Sequence, residues 1–247
     1  MSTATVVLVH GAWHGSWCWN NVVDALAARG IESVAVDLPG HEVPSSSRRK
    51  WNTMSSYVDH VHSTIDSIDG DVVLVGHSMG GLVTQRVLET RSVAGAMLVA
   101  SVPLRGVSGV VARLIKNHPK QFVSTLSISL WGLVDNDEKV RGHFFTPDTD
   151  EAVVSAAGSK MQNESYVAFL SMLSRWPRPG RVSRGSTPVS VVAAEHDTIF
   201  TLKEQRALAT AYGTPLVVID CAHDIMLEAE YPELVELISD RVAATTS

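Results

Sequence analysis

The chain predicts an α/β fold: a mostly parallel central sheet flanked by helices, with a helical insertion between its early and late strands. Three observations lead there. Short apolar runs alternate with segments of helical period through the first hundred residues, the strand pattern disappears from about residue 103 to 185, and two strand-like runs return at 187–194 and 215–220. The early runs are nearly continuous in Val, Leu and Ala rather than alternating, which suits strands covered on both faces.

Taken in order, strands are expected at 6–9, 33–37, 72–75 and 96–100. Between them, 19–29, 54–66 and 81–90 carry apolar residues at helical spacing, and Gly30 reads as a helix stop. Beyond Pro103, helical periodicities are separated by breakers at His118-Pro119, Gly132, Thr146-Pro147 and Pro177-Arg178-Pro179-Gly180. The organisation expected is a core in two parts, residues 1–102 and 187–247, with 103–186 inserted between them.

At 247 residues and 45% hydrophobic, the chain can bury a sizeable core as one domain with an insertion. A net charge of −6 is mild and spread out, so no nucleic-acid partner is expected. The one basic cluster, Arg48-Arg49-Lys50, reads as a solvated loop. No apolar run approaches the roughly 20 residues of a spanning helix, so no membrane partner is expected. Cys18 and Cys221 give no disulfide framework, and with no leader segment the expectation is reduced thiols in the cytoplasm. The histidines show no zinc spacing with a third ligand, and no Gly-x-Gly-x-x-Gly follows the first strand; neither metal nor cofactor is expected.

The chemistry concentrates in Gly76-His77-Ser78-Met79-Gly80, which follows Asp71-Val72-Val73-Leu74-Val75 directly and opens a helix. A serine lifted off a strand end on a sharp turn has an exposed Oγ, and glycines two before and two after keep Cβ atoms out of the adjoining strand and helix. Such a serine needs a histidine base and a carboxylate to orient it. The strand at 187–194 empties into Glu195-His196-Asp197, and the last strand leads to Cys221-Ala222-His223, so Asp197 is the expected acid and His223 the base. Glu195 is the rival for the acid. The Met79 amide, at the start of the new helix, is one expected oxyanion donor. The Ala12 amide, in the loop after the first strand, is the other. Trp13 and His77 are the candidate pocket residues. His10 reads as a hydrogen-bonded structural residue, and Cys221 as packing.

His10-Gly11-Ala12-Trp13-His14-Gly15-Ser16-Trp17-Cys18-Trp19 resembles the entrance motif of plant methylesterases and their hydroxynitrile-lyase relatives, within the α/β-hydrolase fold family. Asp197-Thr198-Ile199-Phe200 and His223-Asp224-Ile225-Met226-Leu227 lie where that group carries its acid and base. The resemblance covers almost the whole chain and implies Ser78, Asp197 and His223 as the triad, with Ala12 and Met79 as oxyanion donors. It also implies that 103–186 is a helical cap over the active site. The lyases add a threonine beside the oxyanion loop and a lysine after the histidine; this chain has Gly11 and Asp224, which favours the esterase branch. Asp37-Leu38-Pro39-Gly40-His41 matches a turn of the family, with Glu42 and Val43 replacing the glycine and serine expected next.

The function expected is that of a serine hydrolase cleaving a small or medium apolar carboxylic ester, monomeric or homodimeric, with a small-molecule substrate. Alternatives are a carbamate or amide hydrolase with an aromatic leaving group, a lyase or cofactor-free oxygenase using His223 and Asp197 as base, and a receptor that kept the triad as a relic. Leu114, Phe122, Leu126, Leu130, Trp131, Phe144, Phe145, Met161, Met172 and Trp176 of the insertion are mostly core, and as a set predict an apolar pocket.

Overall fold

β-branched and apolar runs cannot leave their backbone groups unpaired when buried, so each early run finds a neighbour along a ladder. In the computed structural model, described over residues 4–42, 51–117, 130–174, 177–179 and 187–245, six strands form one parallel sheet. They are β1 (Thr5–Val9), β2 (Ser33–Val36), β3 (Val72–His77), β4 (Gly95–Val99), β5 (Val189–Ala194) and β6 (Leu216–Ile219), in the order β2-β1-β3-β4-β5-β6. The predicted sheet is therefore all parallel in its described strands. The chain leaves β1 toward one edge and returns to its other side as β3, so the strand order reverses between β1 and β3. Crevices outside the carboxyl ends of strands form at such reversals.

The two faces sort by alternation. Val6, Leu8, Val73, Val75, Met97 and Val99 pack under α1 (Asn20–Ala27) and the last helix, Tyr231–Ala243. Val7, Val9, Leu74, Ala96 and Leu98 pack on the opposite side, under α2 (Met54–Asp66) and α3 (Met79–Leu88). Burying each such side chain contributes about 1.5–3 kcal/mol relative to exposure. Helix ends follow local chemistry: Thr53 and Ser56 form a reciprocal cap at the start of α2. At the end of α1, Gly30 adopts φ +72° while the Ile31 amide reaches back to the Leu26 carbonyl at 3.0 Å.

Between β4 and β5 come α4 (Ser108–Asn117), α5 (Asp137–Phe144), α6 (Glu151–Gly158) and α7 (Tyr166–Ser174). Val134, Val140, Phe144, Phe145, Val154, Ala157 and Met161 form a separate apolar cluster there, against which Trp13 and Trp17 pack. By contrast, Ala168 and Met172 of α7 join the sheet's own core. After β5, α8 (Leu202–Tyr212) precedes β6, and α9 (Tyr231–Ala243) closes the fold. The Arg48-Arg49-Lys50 cluster, Val43, His118, Pro119, Phe122, Leu126 and Trp176 lie outside the described residues, as does the side chain of Leu114.

Candidate functional site

Ser78 occupies the turn between β3 and α3 with φ +52° and ψ −115°, a conformation that L-residues rarely adopt. The turn is held from both sides: the Ser78 amide donates to the Val99 carbonyl at 3.0 Å, and the Ser78 carbonyl accepts from Val102 at 3.1 Å. The spacing of the glycines follows from collision. A Cβ on Gly76 would run into Thr84 Oγ1 and the Gly80 carbonyl, and one on Gly80 into the carbonyl oxygens of Val9 and His10. The helix expected from residue 81 starts two residues earlier, at Met79.

His223 follows β6 on the loop from Asp220, with its ring buried. Its Nδ1 donates to Asp197 Oδ2 at 2.8 Å. The other Asp197 oxygen accepts the amides of Ile199 and Phe200 at 2.7 and 2.9 Å, which fixes the carboxylate in place. Glu195 is exposed and Asp197 has only 1% of its side chain accessible, so of the two acids Asp197 is the one at the histidine. The outer nitrogen, His223 Nε2, is buried without a hydrogen-bond partner among the described residues. Phe200 and Phe144 flank the ring, with centroids 5.6 and 6.0 Å away.

The loop after β1 is braced by His10. His10 Nε2 accepts the Leu38 amide at 3.1 Å, which leaves Nδ1 as the donor to the Gly11 carbonyl at 2.8 Å. That carbonyl belongs to the peptide carrying the Ala12 N–H, so the ring sets the direction of that amide. Trp13 takes φ +64°; its indole donates to the Leu130 carbonyl at 3.2 Å and its carbonyl accepts the Gln162 amide at 2.9 Å. A Cβ on Gly11 would approach Ser78 Cβ to 3.0 Å and His77 Nδ1 to 2.9 Å, so Gly11 lets the loop lie directly against the serine turn.

The serine turn and the loop after β1 open on one cavity of about 250 Å³, walled by Ala12, Trp13, Ser78 and Met79 and by Val107, Val110, Leu133, Phe144, Phe169 and Leu173 among others; neither His223 nor Asp197 is among its lining residues. Of the insertion residues singled out from the sequence, Phe144 and Met172 reach it. Leu130, Phe145 and Met161 are buried but do not line it. Tyr166, Phe169, Leu173, Ile199 and Phe200 line it without having been anticipated.

His77 is not among the lining residues, against its reading as a pocket residue. Its ring turns away beneath the serine turn, and Nε2 donates to the His223 carbonyl at 3.1 Å. Burial, followed by the nearby His223 and His14 rings, drives its pKa well below the usual histidine range, so it stays neutral. Burial also pushes both cysteine thiols up, with acidic neighbours adding to it, and neither supplies a thiolate at neutral pH.

Sequence reasoning missed a fully buried polar strap, Gln162-Asn163-Glu164-Ser165. Gln162 Nε2 donates to the carbonyls of His14 and His41 at 3.2 and 3.0 Å. Glu164 accepts from Tyr57 at 2.8 Å and pairs with His41 at 3.1 Å, which gives His41 its structural role. Burial alone would raise the Glu164 pKa, but His41 and three hydrogen bonds outweigh it and hold the carboxyl below its ordinary value. His77, His223 and Asp224 gather potential ligand atoms within 4.8 Å of one another. Each has one polar atom engaged, His77 Nε2 with the His223 carbonyl, His223 Nδ1 with Asp197 and Asp224 Oδ2 with His14 at 2.8 Å, while His77 Nδ1, His223 Nε2 and Asp224 Oδ1 have no hydrogen-bond partner among the described residues.

Comparison with known proteins agrees with this architecture. Methylesterase 1 of Arabidopsis thaliana is 33% identical over 151 residues, 58% of this chain and 56% of that protein. Methylesterase 3 of the same plant is 44% identical over 80 residues, 31% of this chain and 30% of that protein. The chain thus matches about a third to a little over half of the length of these relatives. Among solved structures, polyneuridine aldehyde esterase superposes with a TM-score of 0.74 at 21% identity, over 97% of this chain and 99% of that one. A pyrethroid hydrolase from Sphingobium faniae JZ-2 superposes at 0.72 with 22% identity, over 98% of both chains. The alpha/beta hydrolase family model matches residues 6–237, nearly the whole chain, and with the parallel sheet and its strand-end loops this places the protein in the alpha/beta hydrolase family.

Proposed function

We propose that the chain is a serine hydrolase that cleaves small or medium apolar carboxylic esters through an acyl-enzyme on Ser78. The observation that carries this reading is the 2.8 Å His223–Asp197 contact at the same strand ends of the sheet as a strained Ser78 that lines an apolar cavity. In the proposed reaction Ser78 Oγ attacks the ester carbonyl carbon while His223 Nε2 takes its proton. The oxyanion formed faces the amides of Ala12 and Met79, the latter in the first turn of α3, where amides have no intrahelical carbonyl to bind. Collapse expels the alcohol with the proton from His223, and water repeats the attack to release the acid. Asp197 holds the imidazole in the tautomer this requires. The insertion, residues 103–186, is proposed as the cap that supplies the upper wall.

The apolar wall supports a neutral acyl group, and the names of the similar methylesterases and polyneuridine aldehyde esterase agree with an ester as substrate. The acidic Asp224 in the position of the lyase lysine offers no cation for a cyanide leaving group. A panel of esters, lactones, carbamates and amides of graded acyl size, run on wild type and Ser78→Ala, tests the proposal. Turnover of short and medium esters in the wild type, reduced about 10⁴-fold or more by Ser78→Ala, is expected. Near wild-type turnover by the variant would overturn it, and carbamate or amide turnover exceeding that of esters would move the substrate class.

A further inference from the structure

His14 and Asp224 are both fully buried and come from opposite sides of the site. His14 follows β1, two residues past Ala12; Asp224 follows β6, next to His223. His14 Nδ1 lies 2.7 Å from the Ala12 carbonyl and Nε2 lies 2.8 Å from Asp224 Oδ2. The Ala12 carbonyl is an acceptor, and so is Asp224 when ionised, so beside an ionised Asp224 both ring nitrogens carry protons and the ring is an imidazolium. The Asp224 amide in turn donates to the carbonyl of Phe144, at the end of α5, at 3.0 Å. One buried ion pair therefore ties the loop bearing an oxyanion amide to the loop bearing the base, and the same aspartate docks the insertion onto both.

We infer that His14 and Asp224 are positioning residues that set the distance between the Ala12 amide and the His223 imidazole. The inference rests on the hydrolase reading above for its kinetic consequence, though the ion pair can be tested without activity. The charged and titratable groups facing the pair are His77, 3.7 Å from Asp224 Oδ1, and His223 on the β6 side, with Glu164 from the strap and Cys18 after the β1 loop. Burial works against charge on both partners. The Asp224 charge overcomes it to raise His14, and the His14 charge overcomes it to lower Asp224. A raised histidine stabilises the fold fully below about pH 6.5, and that contribution is lost as pH rises through its folded value. The depressed aspartate acts fully above about pH 3.9 and is lost as pH falls through its own folded value.

The test uses the whole chain, with Asp224→Asn and, should that fail to fold, His14→Gln. Nitrogen NMR of the His14 ring is expected to show an imidazolium at pH 7 in the wild type and a neutral ring in Asp224→Asn. Ester turnover is expected to fall at least about tenfold in kcat with less than a threefold change in KM, and the double variant to be no worse than the poorer single one. A neutral His14 in the wild type, or folded variants with wild-type kcat, would overturn the inference. Failure of a fluorophosphonate to label wild-type Ser78 while His14 is doubly protonated would instead count against the hydrolase reading and remove the kinetic arm alone.

Discussion

At the scale of single residues, Ser78 is held at φ +52° against its intrinsic preference, a cost of about 1–3 kcal/mol that the surrounding structure must impose. The imposing contacts are the amide and carbonyl bonds to Val99 and Val102 and the absence of Cβ atoms at Gly76 and Gly80. Gly80→Ala is therefore expected to destabilise the fold by about 3 kcal/mol, the upper end of overpacking costs, because the colliding atoms are backbone carbonyls. Chemical denaturation of the two proteins side by side checks it, and a change under about 0.5 kcal/mol would contradict the close approach. Gly11→Thr places the lyase-type residue against Ser78 Cβ and His77. Loss of ester turnover is expected with little change in thermal stability beyond a few degrees, because displacement of the serine turn disturbs the site before the core. The serine turn and the Asp197–His223 contact were legible because the glycine spacing reflects these collisions and the acid and histidine follow strand ends. The inward turn of His77 was not, since only the fold reveals that the His223 carbonyl waits beneath it.

At the scale of elements, helices and strands follow their apolar period, and the polar strap 162–165 does not. Gln-Asn-Glu-Ser reads as a surface turn in isolation, yet Gln162, Glu164 and Ser165 find hydrogen-bond partners in Trp13, His14, His41, Tyr57 and Asn52, residues more than a hundred positions away. Period-based reading has no means of seeing such partners. Glu164→Gln is expected to lower stability by about 1.5–3 kcal/mol at neutral pH, the range for hydrogen bonds to a charged group. Because the folded carboxyl titrates below its ordinary value, its contribution is complete above about pH 4.5 and lost as pH falls through the depressed folded value. Thermal melts of both proteins from pH 7 to pH 3 check the sign. The difference should shrink on acidification, and a difference that grows would contradict the assignment of the charge.

At the scale of the whole molecule, strand order and strand polarity bring residues 12, 78, 197 and 223 to one edge of the sheet. The sequence predicted this from strands that each end in a chemically marked loop. What it could not supply was the size of the space above that edge, because the wall comes from α4, α7 and the segments around Leu133 and Ile199, whose apolar faces read the same whether they line a cavity or fill a core. A cavity of about 250 Å³ is small for a ligand site, so activity on p-nitrophenyl esters is expected to peak at acyl chains of about four to six carbons and to fall at decanoate. Replacing Phe169 or Leu173 by Ala should move the peak toward longer chains. Among the described residues no helix is long and apolar enough to cross a membrane. The most direct measurement of the central claim is mass spectrometry of the folded protein after treatment with a fluorophosphonate. A single adduct mapping to Ser78, absent in Ser78→Ala and slowed strongly in His223→Ala, is the result expected. No adduct on the folded wild type, or one that forms equally fast without His223, would contradict an activated serine at this site.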